Sequence, residues 1–170
     1  MEFVEHNTGD WALNFFCITL AARPLAKIMG WPWWMQRRRM LGLFVTFYAM
    51  LHFLTYLLLD MELRMGEFFR DINRRPYIFV GFAALVLLIP LTVTSADWAI
   101  RRLKLWWGRI HYLVYPAAIL GVVHFYWLLK RNKSPALEYA AVLAVLLGYR
   151  VVIYLRKRFQ AVPPPRAAAV

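Results

Sequence analysis

One cysteine, Cys17, is all the sulfur-ligand chemistry this 170-residue chain has. A single thiol excludes an intrachain disulfide, a CxxCH haem-attachment site and a cysteine-ligated iron–sulfur cluster within the chain. Nucleotide-binding signatures are missing as well. No GxGxxG follows a strand pattern, and there is no strand–helix alternation at all. A P-loop, a nucleophile elbow and an HExxH pair are also absent, and the chain is not expected to carry a nicotinamide-binding domain of its own. Acidic residues are scarce, nine against 21 lysines and arginines, for a net charge of +12. So basic a chain raises nucleic acid as a partner. However, its charges fall in short clusters between apolar runs, and no RNA-binding or helix-turn-helix signature accompanies them. That arrangement belongs to loops flanking a membrane, and nucleic acid is set aside.

What the chain has is oil. Hydrophobic residues make up 62% of it and aromatics 17%, against about 45–50% apolar in a soluble domain. The excess lies in long runs, which predicts an all-α integral membrane protein, a helical bundle of five transmembrane helices. The runs place the spans at about residues 8–29, 40–59, 76–95, 107–129 and 135–155, each near the ~20 residues that cross the hydrocarbon. Asn7 or Thr8 is suited to cap the first span, Pro24 to kink it, and Pro76 to occupy the first turn of the third. Residues 1–160 read as one domain and the tail from 161 to 170, AVPPPRAAAV, as disordered.

Direction follows from basic residues counted by side. One side holds Arg23, Lys27, Arg37, Arg38, Arg39, Arg101, Arg102, Lys104, Arg109, Arg150, Arg156, Lys157, Arg158 and Arg166, which is 14. The other holds Arg64, Arg70, Arg74, Arg75, Lys130, Arg131 and Lys133, which is seven. The richer side is expected to be cytoplasmic, with the C-terminus there and the N-terminus outside. No basic n-region precedes a short apolar core, so no cleavable signal is read. Trp31, Trp33, Trp34, Trp106 and Trp107 suit an aromatic belt on the inner side.

Direction turns the histidines into a depth map. His52 lies 13 residues past Arg39 and eight before Asp60; His124 lies 15 past Arg109 and six before Lys130. Both belong in the outer half, at matched depth on two different spans. Paired imidazoles of that kind suit a bis-histidine haem, each giving one axial nitrogen to a macrocycle between the helices. Ala49, Ala117, Ala118 and Gly121 leave room for it, and Tyr48, Tyr56, Phe125 and Tyr126 are available to line it. Zinc lacks a third ligand at that depth. A histidine in a membrane helix also has a bland role, a hydrogen bond to a neighbouring helix. His111 has no partner of this sort. It sits near the inner surface, ~20 Å along the axis from His124 and ~140° around an ideal helix from it. An inner haem, a quinone, a flavin or a haem propionate all remain open for it. His6, ahead of the first span, reads as a surface residue within reach of an outer-face cofactor. Arg37, Arg38, Arg39 and Arg109 are candidate contacts for haem propionates or a flavin phosphate, or else plain topology anchors.

Several stretches then align with one family: AARPLAK at 21–27, RRRMLGLFVTFYAMLHFLTYLLLD at 37–60, RRPYIFVG at 74–81, LTVTS at 91–95 and WGRIHYLVYPAAILGVVHFYW at 107–127. Together they resemble the MsrQ (YedZ) family of haem-binding membrane subunits, in the ferric-reductase-like transmembrane superfamily. The resemblance implies a bacterial inner-membrane, multi-pass protein that binds haem b, one or two per chain, with FMN in some members. It implies electron transfer across the membrane to MsrP, a periplasmic molybdopterin methionine sulfoxide reductase that repairs oxidised proteins. The expected donor is a cytoplasmic flavin reductase or the quinone pool. The family's histidines fall on His52, His111 and His124, which become the expected haem-iron ligands. Typical members carry one further N-terminal helix. The expectation is therefore an electron-transfer subunit rather than the catalytic subunit. A ferric-reductase-like cytochrome with another acceptor, and a haem-free scaffold or transporter, are the alternatives.

Overall fold

The computed structural model describes residues 2–160, and among them only helices, turns and bends occur. The elements are α1 (Glu2–Met29), α2 (Trp33–Thr55, continued by a π-helical turn, Tyr56–Asp60), α3 (Met65–Arg74), α4 (Pro76–Val93), α5 (Asp97–Leu103), α6 (Leu105–His111), α7 (Val114–Leu128) and α8 (Ser134–Gln160). Five helical segments are long and apolar enough to cross a membrane, with α6 and α7 together making the fourth. The predicted disordered tail, 161–170, lies outside the described residues.

Several boundaries differ from those read off hydropathy. The first helix begins at Glu2, six residues before the expected start, and Thr8 is no cap. Its hydroxyl donates inside the helix to the carbonyls of Val4 (3.0 Å) and Glu5 (2.9 Å). An apolar run marks the hydrocarbon, and a helix can continue past it into the polar interface. For the same reason α2 starts at Trp33 and α8 ends at Gln160. Pro24 is buried within an uninterrupted α1, which ends where Gly30 takes φ +68°, a left-handed value that glycine adopts without a Cβ penalty. Pro76 does occupy the first turn of α4. The fourth span is not one helix. It breaks at Tyr112–Leu113, three residues before Pro116, whose ring has no N–H to continue the preceding ladder. The short helices α3 and α5 escape a hydropathy reading because each is only two or three turns long. In α3 a single aromatic, Phe68, is buried, packing on Phe53 and Phe82 at 5.6 Å each, while Glu67 and Arg70 stay exposed.

The core runs along α1. Leu13, Phe16 and Leu20 meet Val45 of α2, Leu88 and Leu91 of α4, Ala117, Ala118 and Val122 of α7, and Leu143 of α8. Ala117 and Ala118 are almost wholly buried. Small side chains let membrane helices approach closely where lipid offers no hydrophobic drive for association. Polar pairs add to the packing. Thr46 donates to Thr92 (2.7 Å), whose own hydroxyl turns back to the Leu88 carbonyl, and Tyr139 donates to Asn14 (3.0 Å). Large apolar residues such as Phe47, Val145 and Val151 point outward, as a lipid-facing surface requires. The chain is therefore a multi-pass membrane protein.

The alanine seam makes a direct prediction. Ala117→Leu should overpack the α7 face, costing about 1–3 kcal/mol, and lower the melting temperature of the detergent-solubilised protein by several degrees. Ile119→Leu, on the exposed face of the same helix, should leave it unchanged. Equal melting temperatures for the two variants would contradict the placement of the core.

Candidate functional site

Between α1, α2, α4 and α7, near the end of the bundle opposite the arginine-rich one, lies a cavity of about 340 Å³. His52 and His124 both line it. Their ring centroids are 6.1 Å apart and their planes cross at 73°. The matched depth inferred from residue spacing is thus met by matched position.

Each imidazole is held through Nδ1 to a helix carbonyl, and the Thr8 hydroxyl also lies 3.5 Å from His52 Nδ1. His52 Nδ1–H donates to the Glu5 carbonyl at 2.9 Å, and His124 Nδ1–H donates to the Tyr77 carbonyl at 2.7 Å. A carbonyl only accepts, so the proton must sit on Nδ1, and Nε2 is left with its lone pair free for a metal. Both carbonyls belong to helices, and in each case the residue four positions on is glycine: Gly9 after Glu5 and Gly81 after Tyr77. The spacing has a steric cause. A side chain on a helix leans back over the turn before it, so a Cβ at i+4 covers the carbonyl at i. A Cβ on Gly81 would lie 2.6 Å from His124 Nδ1, and one on Gly9 would lie 3.3 Å from His52 Cε1. The two glycines clear the space in which the imidazoles reach their acceptors. Neither glycine was singled out from sequence. The available signal was a glycine near histidine depth in an otherwise bulky helix, readable only once the partner helix is known.

This donor set discriminates between metals. Among the described residues no group of three His, Cys, Asp or Glu side chains could hold an ion, so a tetrahedral zinc site is not formed. A pair of imidazoles is a different matter. A metal–imidazole bond is about 2 Å and a ring nitrogen lies about 1 Å from its centroid, so two rings sharing one metal have centroids about 6 Å apart. The observed 6.1 Å fits that arrangement. The walls fit a flat apolar macrocycle. Leu13, Phe16, Phe53, Phe82, Leu85 and Phe125 line the middle, and the end near the surface carries Arg75, Asp60, Glu5 and Asp10. Arg75 is tied to Asp71 (3.6 Å) and to the Tyr77 hydroxyl (3.4 Å). A cation at the mouth of an apolar slot is placed to meet carboxylate groups on whatever fills it.

The other expected residues are arranged differently. Of the small residues, Ala49 and Gly121 line the cavity, while Ala117 and Ala118 are absorbed in the core. Of the aromatics, Tyr56 and Phe125 line it; Tyr48 instead stacks on Phe15 (5.3 Å), and Tyr126 receives Lys133 over its ring (4.0 Å). His6 is within α1 and lines the cavity's outer part while remaining exposed. His111 is not among the lining residues. It ends α6, stacks on Trp107 at 4.0 Å and bonds through Nδ1 to the Trp107 carbonyl at 3.1 Å. The helix break that follows separates it from His124. Arg37 lies over Trp33 (5.2 Å), Arg109 lies over Trp106 (4.8 Å), and Arg39 pairs with Asp97. None of the four expected arginines lines the cavity, because all are at the other end of the bundle.

Residues 8–122 match the family model described as "Ferric reductase like transmembrane component". A protein from Xanthomonas euvesicatoria pv. vesicatoria is 49% identical over 95% of this chain and 76% of its own length. One from Xanthomonas oryzae pv. oryzae is 51% identical over 86% and 67%, and one from Herminiimonas arsenicoxydans is 45% identical over 93% and 74%. Each bears the name protein-methionine-sulfoxide reductase heme-binding subunit MsrQ. No solved structure gives a significant match. With this identity over nearly its whole length, the chain belongs to the ferric-reductase-like transmembrane family, in the branch of the MsrQ subunits.

Proposed function

We propose that the chain is a b-type haem-binding electron-transfer subunit, with His52 and His124 as the axial ligands. The observation that carries this reading is the pair of imidazoles 6.1 Å apart, each locked through Nδ1 to a helix carbonyl. The relatives' name, heme-binding subunit, supports the same cofactor. Haem in this cavity supplies one-electron ferric–ferrous chemistry. The protein's part would be to hold both imidazoles neutral through Nδ1, to exclude water with aromatic walls, and to offer Arg75 as a cation for carboxylate groups of the bound haem. Bonds from Nδ1–H to carbonyls raise the donor strength of Nε2 and fix ring orientation.

Electrons enter, on this reading, from a cytoplasmic flavin reductase or the quinone pool, and the acceptor is a molybdopterin methionine sulfoxide reductase of the MsrP type on the far side of a bacterial inner membrane. The arginine-rich end faces the cytoplasm by the basic-residue rule, so the haem cavity lies near the periplasmic surface, close to the acceptor. His111 and the arginines at 37–39 and 109 stand outside this cavity, and the reading needs one haem.

Three outcomes test the proposal. Protein expressed with haem supplied should show a reduced b-type α-band after dithionite. His52→Ala and His124→Ala should each abolish it, and His111→Ala should retain it; an intact band in the His52 variant refutes the pairing. The glycines give a graded test. Gly81→Ala should lose or distort the band, and Gly9→Ala should do so less, following the 2.6 Å and 3.3 Å approaches. Alanine elsewhere in a helix stabilises it relative to glycine by roughly 0.5–1 kcal/mol, so haem loss with an unchanged melting temperature identifies the steric cause. Finally, reduced protein mixed with a molybdopterin sulfoxide reductase and methionine sulfoxide should reoxidise over repeated turnovers. No reoxidation would remove this acceptor and leave the haem assignment standing.

A further inference from the structure

At the arginine-rich end, far from the paired histidines, Arg23, Arg38 and Arg150 influence one another electrostatically, and among the described residues no carboxylate is paired with them. Arg150 of α8 is half-buried and donates through Nη2 to the Leu20 carbonyl of α1 (2.7 Å), with Cζ 5.3 Å over the Tyr115 ring. Its Nε and Nη1 are buried and have no hydrogen-bond partner among the described residues. Arg38 of α2, also half-buried, lies in the field of Arg150 and Arg23, and His111 lies in the field of Arg38. Among the described residues the acidic side chain at this end is Asp97, already paired with Arg39.

Such an arrangement is electrostatically incomplete. Buried N–H donors without acceptors are costly, and like charges drawn together add repulsion. A planar guanidinium fork is best satisfied by a group with several anionic oxygens, and phosphate meets that geometry. The surroundings narrow the carrier. Beside the cluster, an open groove between the end of α1 and the start of α2 is lined by Arg23, Lys27, Ala26 and Met35. Next to it Ile28, Met29, Trp33 and Met40 are exposed. Cations beside outward-facing apolar side chains at a membrane boundary match a charged headgroup with its acyl chains, and basic pockets between membrane helices take anionic lipids in this way.

We propose that Arg23, Arg38 and Arg150 form a binding site for the phosphate of an anionic phospholipid at the basic end of the bundle. The site is independent of the haem cavity and does not rest on the electron-transfer reading. A phosphate monoester on a free cofactor shares this chemistry, so the experiment separates the two sources. Native mass spectrometry of the full chain in neutral detergent would be run with cardiolipin, phosphatidylglycerol, phosphatidylcholine or flavin mononucleotide added. One anionic lipid should be retained about tenfold more strongly than phosphatidylcholine. Arg150→Gln should bring retention down to the phosphatidylcholine level, and Arg150→Lys should restore part of it, since an ammonium offers charge without the fork. Arg158→Gln, exposed in the last turn of α8, should change nothing. Should Arg150→Gln not fold, Arg38→Gln is read the same way, with the melting temperature as the control for folding. Equal retention of charged and zwitterionic lipid overturns the proposal, as does undiminished binding in the Arg150→Gln or Arg38→Gln protein. Displacement by flavin mononucleotide but not by cardiolipin overturns the lipid assignment.

Discussion

The hydrogen bond from a histidine Nδ1 to a helix carbonyl is the constraint from which the site follows. An imidazole in a membrane interior must satisfy its N–H without water, and the acceptors at hand are carbonyls already used by their own helix. A carbonyl oxygen has a second lone pair, but in a helix it is sheathed by the side chain four residues on. Glycine at that position opens it. His52 with Glu5 and Gly9, and His124 with Tyr77 and Gly81, are two copies of one device. Each copy fixes tautomer, ring plane and depth together, so the two Nε2 atoms are left facing the same cavity.

The fold serves these two bonds. α1 supplies the Glu5 carbonyl at one end and the core residues Leu13, Phe16 and Leu20 further along, so the helix that orients His52 is also the one around which the bundle packs. α4 does the same for His124, its first turn set by Pro76 immediately before Tyr77. The π-helical turn at Tyr56–Asp60 lies one turn beyond His52, and unwinding of that kind is frequent beside functional residues. Here it carries Tyr56 towards Asp71 (3.3 Å) and the mouth of the cavity.

The two ends of the molecule are chemically unlike. One gathers acids and a single lining arginine around an apolar slot; the other gathers guanidinium groups with, among the described residues, no acid to spare. On the proposed reading, a membrane subunit that passes electrons between faces has use for both, one end to hold the redox group and the other to meet anionic lipid or a donor. The chain belongs to the ferric-reductase-like family, and in the reading proposed above a haem would sit in the paired-histidine cavity.

The all-helical membrane class, the number of spans and the matched depth of His52 and His124 were legible from composition and residue spacing, because hydropathy and rise per residue are one-dimensional quantities. Spacing even marked His111 as inequivalent to His124, and the break at Tyr112–Leu113 gives the reason. Helix ends beyond the hydrocarbon, the short helices α3 and α5, and the roles of Ala117, Ala118, Tyr48 and Tyr126 were not legible. They depend on which face of a helix meets which neighbour. The same is true of Gly9 and Gly81, and of the unpaired nitrogens of Arg150. By itself the sequence determined that two imidazoles share one depth in a membrane. Only the tertiary structure decided that they line one cavity with ring centroids 6.1 Å apart, because the acceptors that hold them are backbone carbonyls on other helices, and a backbone carbonyl has no letter in the sequence.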